Sequence, residues 1–559
     1  MGQTFLSVMQ QSLAAGGDRR ALTFLPDGEI AGAETWSFSD LDVAARMVAA
    51  ELQGKGVGHG DRVLLLQAPG WHFQVGFLGC VYAGAIAVPA YPPSPFMGKR
   101  GAERLQSMWQ DAGATTALTT TTLLPLVRFL EDGAPSLSWV LTDKLEADAE
   151  AFEPVEVAPS DVAFLQYTSG STRDPRGVRV THGALMANIT QIIETFGLDE
   201  KVISVSWLPP FHDMGLISAI LVPMVAGCWS VQMAPESFLR RPERWLRAIT
   251  HFGGTFSWAP NFAYDQCVRR INDLSGLDLS TWTVAGSGSE PVREATLAAF
   301  AGKFAACGLR EDSLRVGYGL AEATLMLTAR RRGSGSTMWA DPEQLAAGRL
   351  VPVDSAVGRP IVSCGTAAPD TVLTIRDPET GEPVPDGVMG EITVVAPQVC
   401  DGYWGRTALS SEMFRDDGLR TGDLGVLWRG ELYVTGRRKD LLIVRGRNHY
   451  PQDLESTMDS ADSELRPGCG VAVSVPGDTR DLLVLIQELE AHVSGDPQRI
   501  AEKIRRLIVE EHGVTPDAVV LVRPRVVPKT TSGKLMRSAA AEAFQSGKLR
   551  VVHQWSATT

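Results

Sequence analysis

Residues Phe164 to Val178 read FLQYTSGSTRDPRGV, an apolar run that breaks into Thr168, Ser169, Gly170, Ser171 and Thr172 before Pro175 and Gly177 close the turn. A strand that empties into hydroxyls beside glycine amides forms a cradle for phosphate oxygens. The same composition also makes an ordinary Ser/Thr-rich turn, and on these residues alone both readings stand. It is not a Walker A loop, because G-x-x-x-x-G-K-[ST] fails at Pro175, and neither AGSGSEP nor GYGLAEA completes G-x-G-x-x-G. On either side of this strand, apolar runs of strand length alternate with helical patterns. Arg62 to Gln67 precedes Trp71 to Ala83, Val162 to Tyr167 precedes Ala184 to Phe196, and Val202 to Leu208 precedes Leu216 to Ala226. That alternation predicts α/β layering.

From Pro352 to about Val434 the texture changes to short β-type runs (Val372 to Arg376, Gly390 to Val395, Glu431 to Val434) separated by turn signals such as DPETGEPVPDG. After Gly436 a last unit gathers LLIVRGRN, VAVSVPGD, LLVLIQELE and AVVLVRP around a helix expected over Pro497 to His512. A chain of 559 residues exceeds one ordinary core, so several domain-sized units are expected. No internal repeat or low-complexity tract interrupts them, and Gly333 to Ser336 reads as a loop or short linker.

With 44% hydrophobic and 21% charged residues the composition is globular, and a formal charge of −13 argues against nucleic acid as a partner. Seven cysteines, widely spaced and without C-x-x-C pairs, predict reduced thiols and a cytoplasmic protein. The N-terminus has neither a basic n-region nor a long apolar run, so no export signal is read. Met214 to Pro235 is uncharged and long enough to cross a bilayer. Pro223, Gly215, Gly227, Ser218, Ser230 and Gln232 inside it favour a buried core segment, so no transmembrane span is expected.

Four further segments carry chemistry. In VGYGLAEATL (Val316 to Leu325), Tyr318 between glycines offers a face for adenine and Glu322 a hard oxygen for Mg²⁺; alone, a surface turn with a solvated Glu reads as well. In LRTGDLG (Leu419 to Gly425), Asp423 has two oxygens for ribose hydroxyls, although any Gly-Asp turn fits. In VTGRRKDLLIVRGRNHYPQDLE (Val434 to Glu455), Arg437 and Lys439 follow a glycine at the expected domain join, where a guanidinium fork can meet ribose or phosphate, or where the charges are merely solvated. In VPKTTSGKLMRS (Val527 to Ser538), Lys534 sits on a loop expected to be mobile; a lone surface lysine is the bland alternative.

Taken in order and spacing, the five segments resemble the adenylate-forming superfamily from about Leu41 to Leu549. WLPPFHDMGLI (Trp207 to Ile217), SWAPNFAYDQCVRR (Ser257 to Arg270), AGSGSEPV, YGLAEAT, IVSCG (Ile361 to Gly365) and RGRNHYPQDLE look most like the fatty acyl-AMP ligases. The resemblance implies an N-terminal part, 1–436, of two α/β subdomains plus a β-barrel at about 352–436. It also implies a small mobile α+β lid, 437–559, hinged at Lys439. Implied too is activation of a fatty acid by ATP and Mg²⁺, with transfer to the phosphopantetheine thiol of a separate acyl carrier protein. Lys534, Arg437 and His212 are the implied catalytic residues. Thr168 to Thr172, Gly288, Ser289, Gly317, Tyr318, Gly319, Asp423, Arg437 and Lys534 are the implied ATP-binding residues, and Glu322 the implied metal ligand. His212, Asp213, Met214, Gly215, Trp258 and Phe262 would line the acyl entrance; alone, His212 beside an apolar run reads as core.

Some positions depart from the family pattern. Arg173 and Arg176 stand where glycine and lysine are usual in the phosphate loop, and Ala321 replaces a threonine, as it also does in the fatty acyl-AMP ligases. Trp258 stands where those ligases usually have a small residue; its indole either narrows the acyl tunnel or packs into the core. The segment from about Gly333 to Thr371 resembles the extra segment that in these ligases keeps the lid from the CoA-accepting pose. Ile443 and Val444 stand where many CoA-using relatives carry polar or aromatic residues. An acyl-CoA synthetase and a non-catalytic nucleotide-binding scaffold are the alternatives.

Overall fold

A computed structural model describes residues 3–92, 99–131, 137–168, 175–331, 333, 337–444, 447–477, 480–530 and 533–557. Two large sheets carry the first 330 residues. One has nine strands; its interior run is parallel, in the spatial order Leu314–Gly319, Val284–Ser287, Phe256–Ala259, Ile203–Ser206, Trp229–Met233 and Arg20–Leu25, with antiparallel strands at both edges. The other has six, in the order Ser138–Leu141, Thr116–Thr119, Arg62–Leu65, Ile86–Pro89, Val162–Tyr167 and Gly177–Thr181; all pairs but the last are parallel.

Parallel strands are covered on both faces, which is why these runs are apolar without alternation. The helix Trp71–Tyr82 is apolar all round, and ten of its twelve residues are buried, so it serves as a core layer rather than a surface element. The helix His182–Phe196 begins where the Thr181 hydroxyl accepts from the Ala184 amide, and ends at Gly197 in the left-handed region, φ 63°. The uncharged stretch from Met214 is also core. Met214–Leu221 winds as a π-helix with every residue buried, continues as the α-helix Val222–Val225, and leads into the strand Trp229–Met233. Among the described residues no helix is long and apolar enough to cross a membrane. All seven cysteines are free.

The β-rich region is an antiparallel sheet ordered Val372–Arg376, Gly390–Val395, Gly418–Trp428 and Phe414–Arg415, with Glu431–Arg437 also on Gly418–Trp428. A barrel was expected here; among the described residues these pairings do not close the sheet on itself. Beyond Gly436 a four-stranded sheet (Leu465–Val475, Leu482–Leu489, Ala518–Val522, Val551–Ser556) packs against Pro451–Ala461 and Pro497–His512 around its own core, which includes Leu454, Met458, Leu485, Ile504 and Leu521. This unit is pinned to the rest by ion pairs: Arg293 with Asp459 at 3.5 Å, and Arg359 with Asp453. The last of these starts from the extra segment, where Thr337–Ala340 pairs antiparallel with Arg359–Val362.

Candidate active site

Ligand clefts of open α/β sheets lie beyond the carboxyl ends of parallel strands, and the candidate residues collect there. Val162–Tyr167 delivers Thr168; Ser169, Gly170, Ser171 and Thr172 lie outside the described residues, so the core of the expected phosphate turn is not described. Val284–Ser287 delivers Gly288 and Ser289, the latter at φ 71°, a left-handed conformation uncommon outside glycine. Leu314–Gly319 delivers Gly317, Tyr318 and Gly319, followed by the short 3₁₀ turn Ala321–Ala323 that carries Glu322. At Gly319 the chain doubles back so tightly that a Cβ would stand 1.7 Å from the Leu325 carbonyl oxygen, which leaves glycine as the one residue that fits.

Opposite these strand ends stands a polar trio. The Tyr318 hydroxyl donates to Asp423 Oδ2 at 2.8 Å, while Arg437 Nε pairs with Asp423 Oδ1 at 3.1 Å. Burial, with the Asp423 charge beside it, holds the Tyr318 phenol protonated far above neutrality, and Asp423 in turn raises the Arg437 guanidinium. Asp423 is itself buried and its turn is fixed, since Gly422 N donates to Glu391 and Asp423 N to the Thr421 hydroxyl. Glu322 is held by the Tyr403 hydroxyl, which donates to Oε1 at 2.8 Å; burial pushes its carboxyl up, partly countered by Tyr403 and the Arg437 charge.

On the other wall, His212 and Asp213 precede the buried Met214 and Gly215, and Asp213 Oδ1 accepts from Met214 N at 2.7 Å. Burial, and then the charges of Lys534 and Arg104, push His212 down to about 3, so the imidazole is neutral at pH 7 and does not serve as an acid there. Lys534 arrives from the C-terminal unit on a tied turn: Thr530 N donates to Lys534 O at 2.7 Å, Lys534 N to Thr530 Oγ1 at 3.0 Å, and Gly533 N to Thr530 O at 2.9 Å. Gly533 faces the Phe262 ring, with 3.7 Å from its ideal Cβ position to Phe262 Cε1. Burial lowers the Lys534 ammonium, while the charges of Asp213, Glu290 and Asp423 raise it and that of Arg437 lowers it further; the lysine therefore shares one cleft with these groups. Lys439 stays exposed on the 3₁₀ turn Arg438–Asp440.

Trp258 lies flat against glycines. A Cβ on Gly286, its partner in the neighbouring strand, would stand 2.2 Å from the indole, and the far edge of the ring reaches Gly317 and Gly288. Phe196 meets it edge-on at 5.5 Å. The indole therefore spans from the helix His182–Phe196 to the backbone beside Tyr318, at once packed and adjacent to the cleft.

Three residues of this cleft were not picked out from sequence. Glu290, which accepts from Phe262 N at 2.7 Å, lies inside the quoted AGSGSEPV and was legible in principle. Tyr403 and Arg104 have no local signal at all.

A family model described as AMP-binding enzyme matches residues 9–404, and one described as Disco-interacting protein 2-like, AMP domain matches residues 439–554. The chain is 36% identical to the medium-chain-fatty-acid–[acyl-carrier-protein] ligase JamA of Moorena producens, covering 99% of this chain and 96% of that protein. It is 38% identical to the long-chain-fatty-acid–AMP ligase FadD26 of Mycobacterium marinum, with 97% of each covered. The crystal structure of the fatty acid AMP ligase from Legionella pneumophila superposes with a TM-score of 0.76 at 35% identity, covering 100% of this chain and 98% of that one.

Proposed function

The chain belongs to the adenylate-forming superfamily of AMP-binding enzymes, among the fatty acyl-AMP ligases, and on that premise we propose that it joins a fatty acid to AMP at the expense of ATP and hands the acyl group to the phosphopantetheine thiol of a separate acyl carrier protein. The observation that carries this reading is the placement of Lys534, brought by the C-terminal unit beside Phe262 and Glu290, where the charges of Asp213, Glu290 and Asp423 act on it. In the proposed division, residues 1–436 bind the nucleotide and acid, residues 437–559 form the lid, and Lys439 is the hinge.

In the reaction a carboxylate oxygen bonds to the α-phosphorus of ATP while the bridging bond to the β-phosphate breaks, its electron pair leaving on pyrophosphate. An anion must approach a polyanion, so fixed cations and N–H donors lower the barrier most. Lys534 would bridge the carboxylate and an α-phosphate oxygen, Tyr318 would stack on adenine with Gly288, Ser289, Gly317 and Gly319 close to it, and Asp423 would take the ribose hydroxyls. Arg437 would share the ribose and phosphate oxygens, and the turn Thr168 to Thr172 would hold the phosphates. His212, Asp213, Met214, Gly215, Trp258 and Phe262 would border the acyl entrance. The residues also fit Mg²⁺: such ions are held by one or two carboxylates plus substrate phosphates, and Glu322 offers a half-buried carboxylate fixed by Tyr403. Bound there, the ion would neutralise phosphate charge. Seven free thiols support a cytoplasmic location.

The acceptor reading is supported by the extra segment, whose hairpin reaches the C-terminal unit through Arg359 and Asp453 and so opposes lid rotation toward a CoA-accepting pose. The test supplies the full chain with ATP, Mg²⁺ and a panel of carboxylic acids. Acid-dependent pyrophosphate release with acyl transfer to a carrier protein is expected. No release with any acid would leave a nucleotide-binding scaffold, and rapid decanoyl-CoA formation on adding CoA would replace the carrier protein by CoA.

Acid length gives a second expectation. If the Trp258 indole closes the acyl tunnel, Trp258→Gly should raise kcat/KM for the longest acids by at least ~10-fold relative to short ones, the scale on which apolar pockets discriminate chain length. Chain-length profiles of parent and variant decide it; superimposable profiles would make Trp258 core packing alone.

A further inference from the structure

The helix Lys99–Ala112 is clamped against the strand Val162–Tyr167 through Asp111, whose Oδ2 accepts from the Tyr167 hydroxyl at 2.8 Å and whose Oδ1 accepts from Arg406 at 3.0 Å. Arg104 stands seven residues earlier on the same helix, two turns away and so on the same face. That face looks along the strand to its carboxyl end. There Arg104 Nη2 donates to the Thr168 carbonyl oxygen at 3.4 Å, at the point where the strand passes into the hydroxyl-and-glycine turn.

Two further observations separate Arg104 from an ordinary surface arginine. No carboxylate pairs with it among the described residues, in a chain where most arginines near the cleft are paired, Arg437 with Asp423, Arg406 with Asp111 and Arg293 with Asp459. Its charge is also felt at His212, the imidazole that feels Lys534. The charges of both cations thus act on one side chain: Lys534 comes from the C-terminal unit, and Arg104 from the helix beside the strand that ends at Thr168. Among the described residues one long hydrogen bond, to a neutral carbonyl, occupies one of the five guanidinium N–H groups, which leaves a planar fork for an anion.

We propose that Arg104 is a catalytic residue that binds the β- and γ-phosphates of ATP and the departing pyrophosphate. The inference rests on the adenylation reading above and extends it. As the carboxylate–phosphorus bond forms and the bridging bond to the β-phosphate breaks, negative charge builds on pyrophosphate; a guanidinium that stays protonated throughout receives that charge through two N–H donors, with no proton changing hands. Lys534 serves the incoming oxygen, and Arg104 serves the leaving group.

The experiment runs the reaction backwards, with decanoyl-AMP and pyrophosphate giving ATP, on the full chain and on Arg104→Ala, Arg104→Gln and Arg104→Lys. A lost charge-assisted contact should raise KM for pyrophosphate by ~10- to 100-fold in the first two. Arg104→Lys should recover part of the loss, and KM for decanoate in the forward direction should stay within about twofold. Direct titration with decanoyl-AMP, unchanged across the set, separates this from a collapsed site. An unchanged KM for pyrophosphate, or a loss that falls on decanoate instead, would overturn the assignment while leaving the adenylation reading intact. A parent protein that makes no ATP from decanoyl-AMP would overturn both.

Discussion

Replacing Lys534 by alanine is expected to slow acyl-AMP formation by ~10³-fold, because two unit charges about 4 Å apart attract by roughly 4 kcal/mol at an effective dielectric near 20 and each 1.4 kcal/mol of barrier is a factor of ten. The number is this large because the charge is pre-placed. The turn that carries Lys534 is closed by three hydrogen bonds to Thr530, and Gly533 rests on Phe262, so the backbone from which the ammonium extends is held at the cleft. Burial makes the ammonium easier to deprotonate, while Asp213, Glu290 and Asp423 hold its proton on. Adenylation needs the charged form, so the parent rate should fall as pH rises through this lowered lysine pKa, and Lys534→Arg, which stays protonated, should lose that limb. Transfer of preformed acyl-AMP to a carrier protein, which by the lid reading uses another pose, should change by less than about tenfold. Pyrophosphate release and acyl transfer, measured separately, check both halves. A Lys534→Ala enzyme within tenfold of the parent in acyl-AMP formation would remove the lysine from the chemistry.

Local features of the sequence located the elements well wherever local physics governs them. Val162–Tyr167 and Pro497–His512 begin and end where apolar runs, Pro at the first helical position and a glycine stop required. The apolar stretch after Asp213 was legible as core, yet not as a π-helix, since its winding depends on packing that no periodicity encodes. Long-range pairing was less legible still. Asp423 faces Arg437 because the two strands that carry them slip register between Leu424 and Gly425, and a single-residue bulge leaves no compositional trace. The expected barrel depends on the same kind of information, the order in which strands pair, and the pairings among the described residues do not close one. Glu322 was named as a candidate from its motif, whereas Tyr403, which holds it from 81 residues away, was not. The site was read from residues that recur in fixed order; the groups that orient them come from wherever the fold happens to bring a donor.

Asp423 marks the line between holding a ligand and holding the site, and its replacement is the second large effect expected. Asp423→Ala should lower kcat/KM for ATP by ~10²-fold, since hydrogen bonds to a charged acceptor contribute about 1.5–3 kcal/mol each and two ribose hydroxyls are in question. Asp423→Asn should do nearly as badly. One carboxylate oxygen accepts from the Tyr318 hydroxyl and the other faces Arg437 Nε; an amide can meet both by turning its NH₂ to the Tyr318 oxygen, but it gives up the negative charge and the acceptor positions of one oxygen that the ribose hydroxyls would use. A carboxylate has about four acceptor positions, and these two contacts leave room for the ribose. The nucleotide itself separates the two roles. If Asp423 binds ribose, the hundredfold loss should shrink to about tenfold or less with 2′-deoxy-ATP and 3′-deoxy-ATP, because a hydroxyl already missing cannot be lost twice. If it acts by aligning Tyr318 and Arg437, the loss should be the same for all three nucleotides, and the ribose assignment would fall. In that case Tyr318→Phe, which removes the hydroxyl contact to Asp423 while keeping the ring, should reproduce part of the Asp423→Ala defect.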